Sequence, residues 1–236
     1  MLKVYSEQKD KFTFEQLVEI IRILRSPDGC PWDREQTHKS IRNEFIEETY
    51  EAADAIDRES STDLCEELGD VLLQILLHAQ IASETEDYDI TDVIDGIARK
   101  MILRHPHVFG DVKAETTEAV LKNWDNIKRD EKHQASFTDT LKSVPMSYPA
   151  LMRAGKVQKR ASKAGLSLPN RDELFANAER QLADIKQGDA SKLGDLFFTL
   201  VAVSRDLKVD SEEALGKFTD KFISEFEQKE KQGKIK

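Results

Sequence analysis

Apolar residues at intervals of three and four constrain this chain more than anything else in it. Phe14, Leu17, Val18, Ile21 and Leu24 line one face of a helix, and no stretch keeps the strict apolar–polar alternation of a half-buried strand. An all-α fold without a sheet is therefore expected. Thr13 is placed to cap the first helix and Pro27-Asp28-Gly29 to stop it. The loop CPWDREQTHKS leads to a second helix over about 41–58, and the polar turn RESS joins it to a third over about 62–83. TDVIDGIARKMILRH gives a fourth, opened by a Thr91 cap, and AVLKNWDNIKRDEK a fifth. HQASFTDTLKSVPMSYPAL then breaks the periodicity and holds two of the 6 prolines. The expected organisation is an N-terminal unit over 1–132, a linker over 133–149 and a C-terminal unit over 150–236.

The two units look related. ELGDVLLQ, from Glu67, returns as KLGDLFFT, from Lys192, and TDVIDGIARKMILR returns in the same order as SEEALGKFTDKFISE. Duplication explains both echoes better than chance.

Composition narrows the partners. A net charge of -10 argues against a nucleic-acid backbone, which needs a face rich in Lys and Arg. No apolar run approaches the roughly 18 residues of a bilayer span, and the N-terminus lacks the apolar core of a signal peptide. A cytoplasmic protein with no membrane partner is expected, with Cys30 and Cys65 as reduced thiols.

The second and third helices carry an unusual density of acid. Glu44, Glu48 and Glu51 fall within roughly 60° of one another beside an apolar stripe, and Glu67 and Asp70 share a face with Val71, Gln74 and His78. In an antiparallel hairpin, Glu48 and Glu51 would oppose Glu67 and Asp70. Carboxylates so gathered repel one another and shift toward protonation unless cations compensate, and oxygen ligands select Mg²⁺ or Mn²⁺. The plain alternative, a solvated acidic face, suits Glu47, Asp54, Asp57, Glu59 and Asp63.

Lys100 and Arg104 on the fourth helix, and Trp124 and Lys128 on the fifth, each stand four apart and can present one face to phosphate oxygens. Such pairs are also common on solvated helices, and a Trp in this setting commonly anchors a core.

GCPWDREQTH, EETYEAADAI, ELGDVLLQ and RHPHVF, in that order, with PALMRAGKVQKRA beyond the linker, resemble the MazG family of nucleoside triphosphate pyrophosphohydrolases. The family pattern E-x-x-E followed by E-x-x-D fits Glu48, Glu51, Glu67 and Asp70. The resemblance implies tandem helical units of four-helix type, with those four acids holding Mg²⁺. The implied reaction cleaves NTPs or dNTPs between the α and β phosphates to NMP and pyrophosphate, as nucleotide-pool house-cleaning by a homodimer. Lys100, Arg104 and Lys128 would contact the triphosphate, Trp124 the nucleotide, and Glu47 would orient or deprotonate the water. Trp32 and Gln36 either stand near the nucleotide entrance or pack the loop for structure. His105 and His107 read as helix-end residues rather than ligands. A non-enzymatic nucleotide-binding regulator, or a helical scaffold, is the competing class.

The second half departs from the pattern. RQLAD stands opposite E-E-x-x-E and Lys192 replaces the first acid of E-x-x-D, leaving Asp184 and Asp195. Lys221 survives, but Glu225 stands where the first half has Arg104. One active unit and a degenerate copy are expected.

Overall fold

A computed structural model describes residues 10–112, 116, 120, 123, 124, 127 and 136–234. Every regular element among them is helical, as the periodicity requires. The chain divides into two compact units, 1–127 and 128–236.

In the first unit, α1 (Phe14–Leu24) opens on a capping box in which the Thr13 hydroxyl accepts from the Gln16 amide and the Gln16 side chain accepts from the Thr13 amide. A short helix, α2 (Pro31–Glu35), follows a turn that only glycine permits. A Cβ on Gly29 would stand 2.2 Å from the Ile23 carbonyl oxygen, because the Cys30 amide bonds the Leu24 carbonyl at 2.7 Å. The hairpin α3 (Arg42–Asp57) and α4 (Ser61–Ser83) comes next, then α5 (Ile90–Arg104) and the single turn α6 (Pro106–Phe109). The cap of α5 is Asp89, not Thr91. Its carboxylate accepts from the Thr91 and Asp92 amides, because a carboxylate one position before the first helical residue reaches both orphan donors.

Ile21, Ile41, Leu76 and Leu77 form the core of this unit, with Leu17, Val18, Leu72 and Leu73 packed around them. Ala52 and Ala55 on α3, and Ala79 and Ala82 on α4, are also buried. Arg25 is buried as well. Its guanidinium grips Glu84 at the end of α4 through two bonds of 2.8 and 2.7 Å. It also donates to the Gln36 carbonyl at 3.2 Å and to that of Asp33. One arginine thus ties the loop after α2 to the far end of α4.

In the second unit, α7 (Phe137–Lys142) lies within the span read as linker and is followed by the buried Val144. Then come α8 (Ala150–Lys163), α9 (Arg171–Lys186), a 3-10 turn (Ala190–Lys192), α10 (Leu193–Asp206) and α11 (Ser211–Lys231). The α9/α10 hairpin repeats the α3/α4 hairpin, and Val201, Val203, Leu174 and Ala161 are buried around it.

Candidate metal and nucleotide site

The α3/α4 turn is three residues long, which forces the helices antiparallel. Ser60 caps α4 through the Asp63 amide, and Glu59 takes a left-handed backbone at φ 55°. Arg58 reaches Asp54 at 2.8 Å and Asp63 at 2.5 Å. Those two acids are committed to the turn, though the charge of Asp63 still bears on Glu67.

Beyond the turn, one oxygen each from Glu48, Glu67 and Asp70 lie within 4.8 Å of one another, and all three side chains are half-buried. Burial first, then Asp70, Glu51, Glu67 and Glu47, pushes the Glu48 carboxyl above its ordinary value. Glu67 is raised too, by desolvation and then by Glu51, Asp70, Glu66 and Asp63. Glu51 itself is exposed and stands outside the tight trio, though its charge bears on both. Among the described residues, no Lys, Arg or His forms an ion pair with any of the four. Clustered like charges on packed helices, with no side-chain counterion among the described residues, form a donor set that fits a hard divalent ion such as Mg²⁺ or Mn²⁺. The residues present fit that group.

The remaining candidates stand on several elements. Glu47 is exposed, one residue before Glu48. Lys100 is half-buried and Arg104 buried, both on α5, which packs against α4. Trp124 is 38% exposed, its ring 6.4 Å from His105 at the end of α5. Lys128 lies outside the described residues. His105 directs Nδ1 at the Met101 carbonyl, 2.6 Å away, and stands 5.7 Å ring to ring from His107, which matches the helix-end reading. Trp32 is exposed on α2. The Gln36 amide is engaged locally, donating to the Trp32 carbonyl at 2.9 Å and accepting from Ser40 at 2.7 Å. Its side chain therefore holds the loop in shape.

Sequence reasoning missed a histidine pair. His38 and His78 approach Nδ1 to Nδ1 at 2.8 Å with stacked rings, and Phe45 sits edge-on to His78 at 5.8 Å. Desolvation, then His38, lowers the His78 pKa. That His78 shares a face with Asp70 was readable from spacing; that a loop histidine forty residues earlier meets it was not.

In the second unit Lys192, which stands in sequence where the first has Glu67, pairs with an acid of its own helix. The Lys192 ammonium lies 3.1 Å from Asp195. Its pKa is raised by that bond first, with Asp189 and Asp184 adding to it. Lys221 pairs loosely with Glu225, at 3.9 Å.

Comparison with known proteins identifies the family. Residues 36–109, which span the hairpin and α5, match the model of the MazG nucleotide pyrophosphohydrolase domain. The chain is 41% identical over 222 residues to the nucleoside triphosphate pyrophosphohydrolase/pyrophosphatase MazG of Thermotoga maritima, covering 92% of this chain and 85% of that protein. It is 40% identical over 228 residues to the nucleoside triphosphate pyrophosphohydrolase of Escherichia coli K12, covering 92% and 87%. An uncharacterized Bacillus subtilis protein, YabN, is 43% identical over 222 residues, which are 90% of this chain but 45% of YabN. With two such relatives matched over most of their length, the chain belongs to the MazG family of nucleotide pyrophosphohydrolases.

Proposed function

We propose that the first unit is a Mg²⁺-dependent nucleoside triphosphate pyrophosphohydrolase that cleaves NTPs or dNTPs between the α and β phosphates, giving NMP and pyrophosphate. The observation that carries this reading is the trio of Glu48, Glu67 and Asp70 oxygens within 4.8 Å, none of the three acids having an ion-pair partner among the described residues. Glu48, Glu67 and Asp70, with Glu51 beside them, would hold the metal, Mn²⁺ being the alternative. When bound, the ion neutralises phosphate oxygens and makes water more acidic.

The chain's own groups do the rest. Lys100 and Arg104 project from the helix packed on α4, and offer a point charge and a bidentate fork for the β and γ phosphates. Pyrophosphate leaves with its charge held by those cations. Glu47, whose exposed carboxylate adjoins the cluster, accepts a proton from the attacking water or orients it toward the α-phosphorus. Trp124 and Trp32 offer faces for the base, and stacking of this kind tolerates any base.

The test is release of pyrophosphate and monophosphate from a panel of NTPs and dNTPs with Mg²⁺. Glu67→Ala should lower the rate by at least about a hundredfold, the upper range for losing even an outer-shell partner of a metal. Asp195→Ala, whose carboxylate already serves Lys192, should stay within about twofold of wild type, as a change remote from the chemistry should. Nucleotide binding with no release would instead favour a non-enzymatic regulator.

A further inference from the structure

Between Asp139 and Asp172 the chain carries seven basic residues and no acid, a reversal of sign in a protein whose net charge is -10. Five of the seven stand on α8. At about 100° per residue, Arg153, Lys156 and Arg160 fall within roughly 60° of one another along one line of that helix. The other side of α8 is already used. Gln158 and Ala161 are buried there, and Gln158 donates to the Phe198 carbonyl of α10 at 2.8 Å.

The three cations are held differently. Arg160 is anchored, because its guanidinium donates to the Thr140 carbonyl and, at 2.7 Å, to the Ser143 hydroxyl. Lys156 is exposed, its ammonium 5.5 Å from the centroid of the Tyr148 ring. Arg153 is half-buried, and its Nε is shut off from water without a hydrogen-bond partner. The carboxylate that α11 brings to this end of α8, Glu212, accepts from the Met152 amide at 3.1 Å. Among the described residues, none of the three cations forms an ion pair. Buried donors are ordinarily satisfied, and like charges on one face repel unless an anion stands among them.

A phosphate chain suits this face, since it offers several oxygens to three cations at once and guanidinium forks bind them bidentately. Arg153 and Arg160 start about 10 Å apart along the axis, with Lys156 between them, so their long side chains can converge on two or three linked phosphates. The Tyr148 ring has Lys156 over it rather than an open face on which a base could stack, which favours an inorganic chain over a nucleotide. With its apolar side packed on α10, α8 has no such face left for a lipid surface.

We propose that Arg153, Lys156 and Arg160 form a metal-independent site for a short inorganic phosphate chain, pyrophosphate or tripolyphosphate. It does not depend on the pyrophosphohydrolase reading, although that reaction would supply such an anion.

The experiment is calorimetric titration of the intact chain with pyrophosphate and with tripolyphosphate, in EDTA at about 0.15 M salt, where distant charges are screened. ATP, a single-stranded RNA oligomer and anionic vesicles are titrated beside them. Both inorganic anions should bind, and Arg153→Gln and Lys156→Glu should each weaken them by at least about tenfold, as loss of a charge-assisted contact does. Lys159→Glu, the same change of charge off the line, should cost less than about threefold. Lys156 is exposed, so its variant folds even where Arg153→Gln does not. No binding at millimolar anion, or an equal loss in Lys159→Glu, sinks the site. Tighter binding of ATP reassigns it to nucleotides, and tighter binding of RNA or vesicles to a macromolecular polyanion, either of which overturns the proposal.

Discussion

At the scale of residues, Glu48 and Glu67 hold their protons more tightly in the folded chain than in the unfolded one. A carboxyl raised on folding binds more protons in the native state, so its contribution to stability falls as pH rises from the ordinary carboxylate range through the raised value. Without divalent metal, Glu67→Gln should therefore melt higher than wild type at pH 7. The gap should close as the pH drops toward the ordinary Glu range, and it should reverse when Mg²⁺ is added. Thermal scans of both proteins at pH 4.5 and pH 7, with and without chelator, check this. Glu84 moves the other way, because the Arg25 guanidinium lowers it, so the difference between variants is the quantity to read rather than either melting temperature. The acids Glu48, Glu51, Glu67 and Asp70 were legible from spacing alone. Glu44 and Gln74 were placed on the same faces by spacing, but their unpartnered oxygens were not legible. An orphaned acceptor is a property of what fails to surround an atom, and a helix register carries no record of that.

At the scale of elements, the α3/α4 turn is where local and global demands conflict. Glu59 is held at φ 55°, a conformation that costs an L-residue with a Cβ roughly 1 kcal/mol or more. It persists because the three-residue turn brings Glu48 level with Asp70. Glu59→Gly should stabilise the chain by up to about 1 kcal/mol, the relief of strain being partly offset by the freer unfolded chain. Urea unfolding with an unchanged slope is the measurement. The hairpin helices could be read from their apolar periods and the polar turn RESS to within a residue or so, since both signals are local. The α5 cap was displaced from Thr91 to Asp89 because a carboxylate that reaches two amides outcompetes a hydroxyl closer to the apolar run. The helix α7 escaped notice for another reason. Six residues, Phe137–Lys142, are too few to display a period, and their order comes from the Ser136 capping box and from packing on α8.

At the scale of the whole molecule, large apolar side chains remain uncovered in both units. Ile94 and Ile97 on α5 are 45% and 46% exposed, and Phe218 and Phe222 on α11 are 63% and 58% exposed. These faces give the expected dimer a surface on which to form, which the sedimented mass of the intact chain decides. Among the described residues, no helix is long and apolar enough to cross a membrane. The tandem echo between ELGDVLLQ and KLGDLFFT was legible because duplication leaves a hydrophobic period behind after the chemistry has gone. What replaced the chemistry required coordinates: Lys192 sits against Asp195 in the unit that lacks counterparts of Glu48 and Glu67. Ligand binding to the native state raises stability with ligand concentration. Titrating Mg²⁺ should therefore raise the melting of wild type and of Asp195→Ala, but not of Glu67→Ala. That outcome would mean that duplication has left a single polypeptide with one half that answers to free magnesium and another, with Lys192 held against Asp195, that is deaf to it.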